Sequence, residues 1–308
     1  MTTNKRMREE GRSARMKLSV ILAERPSAFR LLREATRVLA HSDSPRLTAE
    51  ALLAHTLGWT RTQLLARLDQ SISPEAHAQF DALVARAALG EPLAYLTGHR
   101  QFHGLDFLVD ARVLVPRPET ELLVDLALKF LAVKAETTRD RSVLDVGAGS
   151  GCIAVTLAAK CPAARVTAVD ISDEALAVAR RNAERHQVAG RITFFKSDLL
   201  SSFFLLPSSF HLVCANLPYI ASDELHALPV ARHEPALALD GGPDGLLLIR
   251  RLLVDLPRQM APGGRVLLEI GHGQGEAASA LAQAAFPYAR VHLHHDLAGL
   301  ERIVAVEL

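Results

Sequence analysis

The sequence predicts an α/β fold in which a mostly parallel sheet follows a small bundle of helices. From residue 142 onward, short apolar strands alternate with helical segments. Such alternation is typical of a parallel sheet that is covered by helices on both faces. From about residue 20 to 90, the pattern is helical throughout and strand signals are absent. A chain of 308 residues is long enough for two modest domains of this kind.

The composition argues against several classes of function. Lys and Arg number 35 against 34 Asp and Glu, so the net charge is +1 and no strong positive field would recruit a nucleic acid. No apolar run approaches the ~20 residues of a membrane span. The three cysteines lack Cys-x-x-Cys spacing, which argues against a disulfide framework. We therefore expect a cytoplasmic monomer without membrane association and without a direct nucleic-acid substrate.

No metal site is expected either. His292, His294 and His295 alternate along a late strand, which could suggest metal ligands. No carboxylate or cysteine stands at ligand spacing beside them, so a solvated strand face is the better interpretation.

The helical segment, residues 20–90, is predicted to be a domain of four or five helices. Ser44-Pro45 begins one helix that Gly58 ends, and Ser73-Pro74 begins another. The segment is mostly Leu and Ala without clustered titratable groups. This composition favours a docking or covering role over a catalytic one.

A β-hairpin is predicted to link this domain to the sheet. Residues 102–107 and 111–115 carry the alternation of its two strands. Residues 116–121 then open a helix that extends to Lys134. The predicted segments are a disordered tail (1–19), a helical docking domain (20–90), a hairpin linker (91–116) and a catalytic domain (117–308).

The catalytic segment supplies the alternating strands and helices. Strands are predicted near residues 142–146, 165–169, 192–195, 211–215, 265–270, 290–294 and 302–307. Helices are predicted near residues 151–160, 173–187, 245–260 and 273–285. The last two strands lie close in sequence, which favours an antiparallel hairpin at one edge of the sheet.

A glycine-rich turn joins the first of these strands to its helix. It reads Gly147-Ala148-Gly149-Ser150-Gly151. Glycines let the backbone approach a ligand closely and leave the helix N-terminus facing it. Cys152 stands where a dinucleotide fingerprint needs its third glycine, and no Gly-Lys-Ser/Thr follows, so a phosphate-binding P-loop is excluded. The turn resembles the loop of S-adenosylmethionine enzymes.

Two acidic residues follow at the ends of the next strands. Asp170 ends the second strand about 20 residues after the glycine loop, where a carboxylate can accept both ribose hydroxyls of a nucleoside. Asp198 and Leu199 follow the third strand. There, Asp198 could accept the adenine amino group and Leu199 could flank the adenine ring.

The fourth strand ends in Asn216-Leu217-Pro218-Tyr219. The side-chain carbonyl of Asn216 and the backbone carbonyl of Leu217 could together accept two N–H bonds of one amine or amide. Pro218 fixes φ and removes a donor, and Tyr219 could lie over a planar substrate group. An ordinary turn with a helpful proline is the alternative. The glycine loop, both acids and this motif nevertheless occur in the order and spacing of a methyltransferase.

Longer motifs resemble one family. They include Val115-Pro-Arg-Pro-Glu-Thr-Glu121, Asp145-Val-Gly-Ala-Gly-Ser-Gly151, Glu234-Pro-Ala-Leu-Ala-Leu-Asp-Gly-Gly242 and Leu268-Glu-Ile-Gly-His-Gly-Gln274. Residues 28–308 resemble the PrmC (HemK) family of protein glutamine methyltransferases. The resemblance implies a class I S-adenosylmethionine-dependent methyltransferase with a Rossmann-like, seven-stranded sheet. It implies methylation at N5 of the glutamine in the Gly-Gly-Gln motif of peptide chain release factors, with S-adenosylhomocysteine as the product.

The resemblance also implies the site residues. The expected cofactor-binding residues are Gly147, Ala148, Gly149, Ser150, Gly151, Asp170, Asp198, Leu199 and Asn216. The expected catalytic residues are Asn216, Pro218 and Tyr219, and substrate binding adds Leu217, Arg117 and Glu119. Glu119 and Glu121 could equally do no more than complement the N-terminus of the helix that they open.

One departure from the family leaves a second function open. The family usually reads Asn-Pro-Pro-Tyr, and Leu217 replaces the first proline here. Asn-Leu-Pro-Tyr also resembles the motif of ribosomal RNA adenine dimethyltransferases, so an RNA or DNA methyltransferase acting on the adenine exocyclic amine is the alternative. Those enzymes lack the Arg-Pro-Glu-Thr-Glu block and an N-terminal helical domain, and they are expected to be basic.

Overall fold

The computed structural model describes residues 25–134, 141–201 and 209–308. The chain divides between Thr97 and Gly98 into two compact units, each with its own hydrophobic core. The predicted disordered tail, residues 1–19, lies outside the described residues. The predicted domain boundaries stay predictions.

Helices make up the first unit. Its described residues form α1 (Ala28–Val38), α2 (Pro45–Leu57), α3 (Arg61–Leu65), α4 (Pro74–Ala88) and α5 (Leu93–Thr97). Prolines occupy the first turns of α2 and α4, as the sequence predicts. Gly58 ends α2 with a φ of 64°, a conformation that favours glycine.

An apolar core holds these helices together. Leu31, Leu52 and Phe80 are each at most 1% exposed. Burying side chains of this size stabilises a fold by roughly 1.5–3 kcal/mol each. The carboxylate of Glu50 is also buried, and the guanidinium groups of Arg46 and Arg61 bind it at 2.8 Å.

The second unit begins with a hairpin that differs from the predicted one. Strands β1 (His99–Phe102) and β2 (Leu105–Leu108) pair in antiparallel fashion around His103 and Gly104. Residues 111–115 form no strand, so the prediction that they supply the second strand was wrong. His103 and Gly104 have φ values of 50° and 77°, and a two-residue turn of this kind reverses the chain within residues 102–107.

A mostly parallel sheet follows the hairpin. Its strands are β3 (Ser142–Val146), β4 (Arg165–Asp170), β5 (Ile192–Lys196), β6 (Phe210–Ala215), β7 (Met260–Glu269), β8 (Arg290–His295) and β9 (Glu301–Glu307). Within the described residues, these seven strands form one sheet in the order β5-β4-β3-β6-β7-β9-β8. The first five in this order are parallel, and β9 pairs in antiparallel fashion with β7 and β8. The predicted mostly parallel sheet with a terminal antiparallel hairpin is confirmed.

Helices connect these strands. They are α6 (Thr120–Lys134), α7 (Cys152–Lys160), α8 (Asp173–Arg185), α9 (Ser222–Leu225), α10 (Leu247–Asp255) and α11 (Gly275–Ala285). The Ser172 hydroxyl caps α8 by accepting a hydrogen bond from the Ala175 N–H.

The strand register decides which residues meet at the carboxyl edge of the sheet. Val146 pairs with Val169 on one side and with Ala215 on the other, and Ala215 pairs with Leu268. The residues that follow these strand positions therefore lie next to one another. In parallel α/β sheets, ligands bind at this edge.

Asn182 joins the hairpin to the glycine loop. Its side-chain oxygen accepts the Leu108 N–H at 2.8 Å, and its side-chain nitrogen donates to the Leu108 and Ser150 carbonyls at 3.0 and 2.9 Å. The side chain is fully buried on α8. One amide thus satisfies backbone groups on β2 and on the loop between β3 and α7.

Replacement of Asn182 tests this connection. We expect Asn182→Ala to lower the free energy of unfolding by about 2–4 kcal/mol, because it leaves part-buried backbone groups without partners. Glu184→Ala on the exposed face of the same helix is the control, with an expected change below about 0.5 kcal/mol. Urea unfolding followed by circular dichroism measures both. Equal stability of the two variants would contradict the bridging role.

Candidate active site

A cavity of about 590 Å³ opens at the carboxyl edge of the sheet. Its volume lies within the roughly 300–1,000 Å³ that is usual for small-molecule sites. Among the residues predicted from the sequence, the lining includes Arg117, Gly147, Ala148, Gly149, Ser150, Asp170, Asp198, Leu199, Asn216, Leu217 and Pro218. Glu119, Gly151 and Tyr219 are not part of the lining.

Glycine is required in the loop after β3 for two different reasons. Gly147 has a φ of 77°, and a Cβ there would lie 3.1 Å from the side chain of Leu217, so the loop packs directly on the Asn-Leu-Pro-Tyr segment. Gly151 has a φ of 78°, and a Cβ there would lie 3.0 Å from the Cβ of Ala179 on α8. Gly151 therefore permits close helix packing behind the cavity.

Asp170 holds the glycine loop and lines the cavity. One carboxylate oxygen accepts the Gly149 N–H at 2.8 Å, and the other accepts the Ser172 N–H at 2.9 Å. Burial raises the pKa of this carboxyl group, while these backbone N–H groups oppose the rise. Each oxygen retains acceptor capacity, so the group fits a ligand that offers hydroxyl donors.

Asp198 and Leu199 line the same cavity beside a cation that the sequence analysis missed. The guanidinium of Arg251 on α10 donates to the Asp198 carboxylate at 2.7 Å, and both side chains are partly exposed. Leu199 has a φ of 50°, which is uncommon for a residue other than glycine. No local sequence signal pairs Arg251 with Asp198, because they lie 53 positions apart.

Asn216 follows β6 at the centre of the site. Its side-chain nitrogen donates to the hydroxyl of Thr120, the first residue of α6, at 3.0 Å. Thr120 is buried and also lines the cavity. Leu217 is 4% exposed and belongs to the apolar core, so it anchors the turn that Pro218 continues.

Tyr219 follows Pro218 and is not part of the cavity lining. Its backbone carbonyl accepts a hydrogen bond from the Gln274 side chain at 2.9 Å. Burial raises the pKa of its hydroxyl to about 12, and the nearby Glu269 carboxylate adds to this effect. Tyr219 therefore stays neutral at physiological pH.

An ion pair fixes the segment before α6. The Arg117 guanidinium donates to the buried carboxylate of Glu234 at 2.7 Å, and the other oxygen of Glu234 accepts the Val115 N–H at 3.0 Å. Glu121 accepts the His103 N–H in the hairpin turn at 2.8 Å. Glu119, by contrast, is exposed.

Asp145 and Glu269 are buried carboxyl groups that the sequence analysis did not single out as functional. Asp145 on β3 accepts the Ala154 N–H of α7 at 3.1 Å, and its other oxygen has no partner among the described residues. Burial raises its pKa to about 7, and Asp170 contributes a smaller rise. Glu269 ends β7 beside Asn216. The available sequence signal was a charged residue inside an apolar strand for Asp145 and at the end of one for Glu269.

The described residues contain neither a cluster of metal ligands nor a membrane-spanning helix. In the part of the chain that the structure describes, no three His, Cys, Asp or Glu side chains cluster as metal ligands would. The helices of the described ranges are all too short or too polar to span a bilayer.

The parallel sheet, the glycine loop and the acids at consecutive strand ends define a class I methyltransferase that uses S-adenosylmethionine. Family models agree: the PrmC N-terminal domain matches residues 30–98, and the methyltransferase small domain matches residues 121–232. The chain belongs to the release factor glutamine methyltransferase family. The Moorella thermoacetica relative of that name is 43% identical over 274 residues, which cover 88% of this chain and 95% of the relative.

Further comparisons agree with this family and fold. The Burkholderia pseudomallei release factor glutamine methyltransferase is 44% identical over 274 residues, which cover 87% of this chain and 94% of the relative. Among solved structures, the hMettl16 catalytic domain in complex with a 3'UTR hairpin aligns with a TM-score of 0.52 at 14% identity. That alignment covers 74% of this chain and 81% of the other, and it shows the fold alone.

The pKa of Asp145 gives a pH-dependent prediction for Asp145→Asn. The folded protein holds this proton more tightly than the unfolded chain, whose Asp145 has the ordinary pKa of 3.8. The wild-type protein therefore loses stability relative to the variant as the pH rises from about 4 to about 7, by at most about 1.4 kcal/mol per pH unit.

Urea unfolding of both proteins at about pH 5 and about pH 8 measures this difference. Asparagine can still accept the Ala154 N–H, so the hydrogen bond at 3.1 Å is kept in the variant. A stability difference that is the same at both pH values would show that Asp145 titrates normally.

Proposed function

We propose that this chain transfers the methyl group of S-adenosylmethionine to the side-chain amide nitrogen, N5, of the glutamine in the Gly-Gly-Gln motif of translation release factors. The observation that carries the proposal is the contact between Asn216 and Thr120. Because the Asn216 nitrogen donates to Thr120 at 3.0 Å, its carbonyl oxygen is left to accept an N–H from a substrate in the cavity.

The substrate amide needs two acceptors on the enzyme. The Asn216 side-chain carbonyl and the Leu217 backbone carbonyl would each accept one N–H bond of the glutamine amide. Pro218 would keep the turn open, and Tyr219 would cover the amide plane. Arg117 and Glu119 are assigned to substrate binding at the rim, with Arg117 held in place by Glu234 at 2.7 Å.

Catalysis would come mainly from orientation. An amide nitrogen is a weak nucleophile because its lone pair is delocalised into the carbonyl group. Holding it in line with the electrophilic methyl could supply on the order of 7–11 kcal/mol. The new N–C bond would form as the S–C bond of the sulfonium breaks, S-adenosylhomocysteine would leave, and the methylated nitrogen would then release one N–H proton to water. The two fixed carbonyl dipoles would also stabilise the positive charge that develops on nitrogen as the bond forms. The cofactor supplies an electrophilic methyl group on a sulfonium, so no metal is required.

The cofactor would lie along the carboxyl edge of the sheet. The backbone of the glycine loop would approach the cofactor closely; this loop consists of Gly147, Ala148, Gly149, Ser150 and Gly151. Asp170 would accept hydrogen bonds from the ribose hydroxyls. Asp198 would accept the adenine amino group, Leu199 would flank the ring, and Asn216 would separate the cofactor from the substrate. The lining of the cavity by most of these residues supports the assignment.

The helical unit is assigned to docking of the release factor. The match of residues 30–98 to the PrmC N-terminal domain supports this assignment. Because release factors work on ribosomes, we place the reaction in the cytoplasm. The expected monomeric state stays a prediction.

An RNA or DNA methyltransferase acting on the adenine exocyclic amine is the second candidate. Only Leu217 favours it, and the net charge of +1 does not. Incubation with labelled cofactor and either release factor or ribosomal RNA separates the two candidates. Mass spectrometry should find a single added methyl on the Gly-Gly-Gln glutamine. Labelled RNA with unlabelled release factor would reverse the assignment.

Removal of the Asn216 side chain tests the catalytic role. We expect Asn216→Ala to bind S-adenosylmethionine normally and to lower kcat by about 10²–10³-fold, the effect of losing one oriented polar group. Radiolabelled methyl transfer to release factor measures the rate, and isothermal titration calorimetry measures cofactor affinity. An unchanged kcat would remove Asn216 from the mechanism.

Removal of the Asp170 carboxylate tests cofactor binding. We expect Asp170→Ala to weaken S-adenosylmethionine binding by about 100-fold, because two charge-assisted hydrogen bonds are lost. Asp173→Ala is the matched control, since that carboxylate is 67% exposed and pairs with Lys196. Calorimetry should show wild-type affinity for the control. Equal affinities in both variants would place the ribose elsewhere.

A further inference from the structure

A buried carboxylate behind Asn216 has no part in the reaction described so far. Glu269 ends β7, and its side chain is 1% exposed. Because Ala215 pairs with Leu268, the next residues along the two strands, Asn216 and Glu269, lie side by side. Neither carboxylate oxygen accepts a well-formed hydrogen bond from the residues that the structure describes. A buried charge without a partner is costly, so its presence calls for a function.

The groups around Glu269 are the groups of the active site. Burial raises its pKa to about 7, whereas the Thr120 hydroxyl, the charge of Arg302 and the Asn216 amide lower it, and Glu119 raises it. Arg302 is already engaged, since it donates to Asp296 at 3.1 Å and to the Ile270 carbonyl at 3.4 Å. Apart from Arg302, the groups that lower the pKa of Glu269 are the Thr120 hydroxyl and the Asn216 amide.

The Thr120 hydroxyl can form hydrogen bonds with Asn216 and with Glu269 at the same time. Its oxygen accepts the Asn216 side-chain N–H at 3.0 Å. A hydroxyl carries one hydrogen, and that hydrogen is free to turn toward another acceptor. The Glu269 carboxylate can only accept while it is charged, so it favours the rotamer in which the hydroxyl hydrogen points to it. In that rotamer, Thr120 presents only lone pairs to Asn216.

We propose that Glu269 is a positioning residue that sets the amide orientation of Asn216 through the Thr120 hydroxyl. The proposal rests on the proposed function, in which the Asn216 carbonyl must face the substrate nitrogen. A flipped Asn216 amide would direct its own N–H bonds at the substrate N–H bonds and would reject the substrate. The chain Glu269–Thr120–Asn216 opposes this flip, because a flipped amide would place its carbonyl oxygen against the Thr120 lone pairs.

A pair of variants at position 120 separates hydrogen bonding from packing. Thr120→Val keeps the shape of the side chain and removes the hydroxyl, while Thr120→Ser keeps the hydroxyl and removes a methyl group. We expect Thr120→Val to lower kcat about tenfold, the loss that corresponds to one hydrogen bond of ordinary strength, with an unchanged Kd for S-adenosylmethionine. Thr120→Ser should stay within about twofold of the wild type. The reverse order would show that Thr120 acts by packing and would overturn the proposal.

Variants at position 269 test the other end of the chain. A glutamine carbonyl can still accept the hydroxyl hydrogen, so Glu269→Gln should retain more activity than Glu269→Leu. Glu269→Leu combined with Thr120→Val should be no slower than the slower single variant, because the two residues act as one unit. Multiplicative losses in the double variant would show that they act independently and would contradict the proposal.

A measurement without substrate distinguishes failure of this proposal from failure of the proposed function. The chain has three asparagines, Asn4, Asn182 and Asn216, so selective isotope labelling resolves the Asn216 side-chain amide by NMR. We expect its hydrogens to exchange slowly in the wild type and in Thr120→Ser, and at least about tenfold faster in Thr120→Val. Equal exchange in all three proteins would overturn the proposal. A wild type that leaves release factor unmethylated would instead refute the proposed function.

Discussion

The parallel register of four strands is the constraint on which the site depends. Apolar side chains bury β4, β3, β6 and β7 side by side, and their register brings the residues that end or directly follow these strands into one row. That row contains Asp170, Gly147, Asn216 and Glu269. A one-residue slip of β6 would turn Asn216 to the opposite face of the sheet. Core packing therefore sets the geometry of the site.

Buried carboxylates connect this row to distant segments of the chain. Glu234 binds Arg117 and the Val115 N–H and so attaches the start of α6 to a loop 117 positions away. Asp145 binds the first turn of α7, and Glu269 lies behind Asn216. Burial raises the pKa of Asp145 and of Glu269 to about 7, while Glu234 holds Arg117 at the cavity.

The sequence analysis was most successful where a pattern is local. The alternation of strands and helices, the glycine turn and the proline starts of two helices follow from neighbouring residues, and the fold confirms them. The hairpin prediction was wrong because residues 102–107 contain both strands around a two-residue turn. Positive φ values at His103 and Gly104 allow that reversal, and His-Gly is a weaker turn signal than Asn-Gly.

The sequence by itself determined the class of fold, the order of the motifs and the family to which the chain belongs. Only the tertiary structure decided which groups are partners. Thr120 meets Asn216 across 96 positions, Arg251 meets Asp198 across 53, and Tyr219 lies outside the cavity lining. Hydrogen-bond partners depend on strand register and on where each helix begins, and no local periodicity encodes either of them. The direction in which Asn216 points is therefore a property of the assembled sheet.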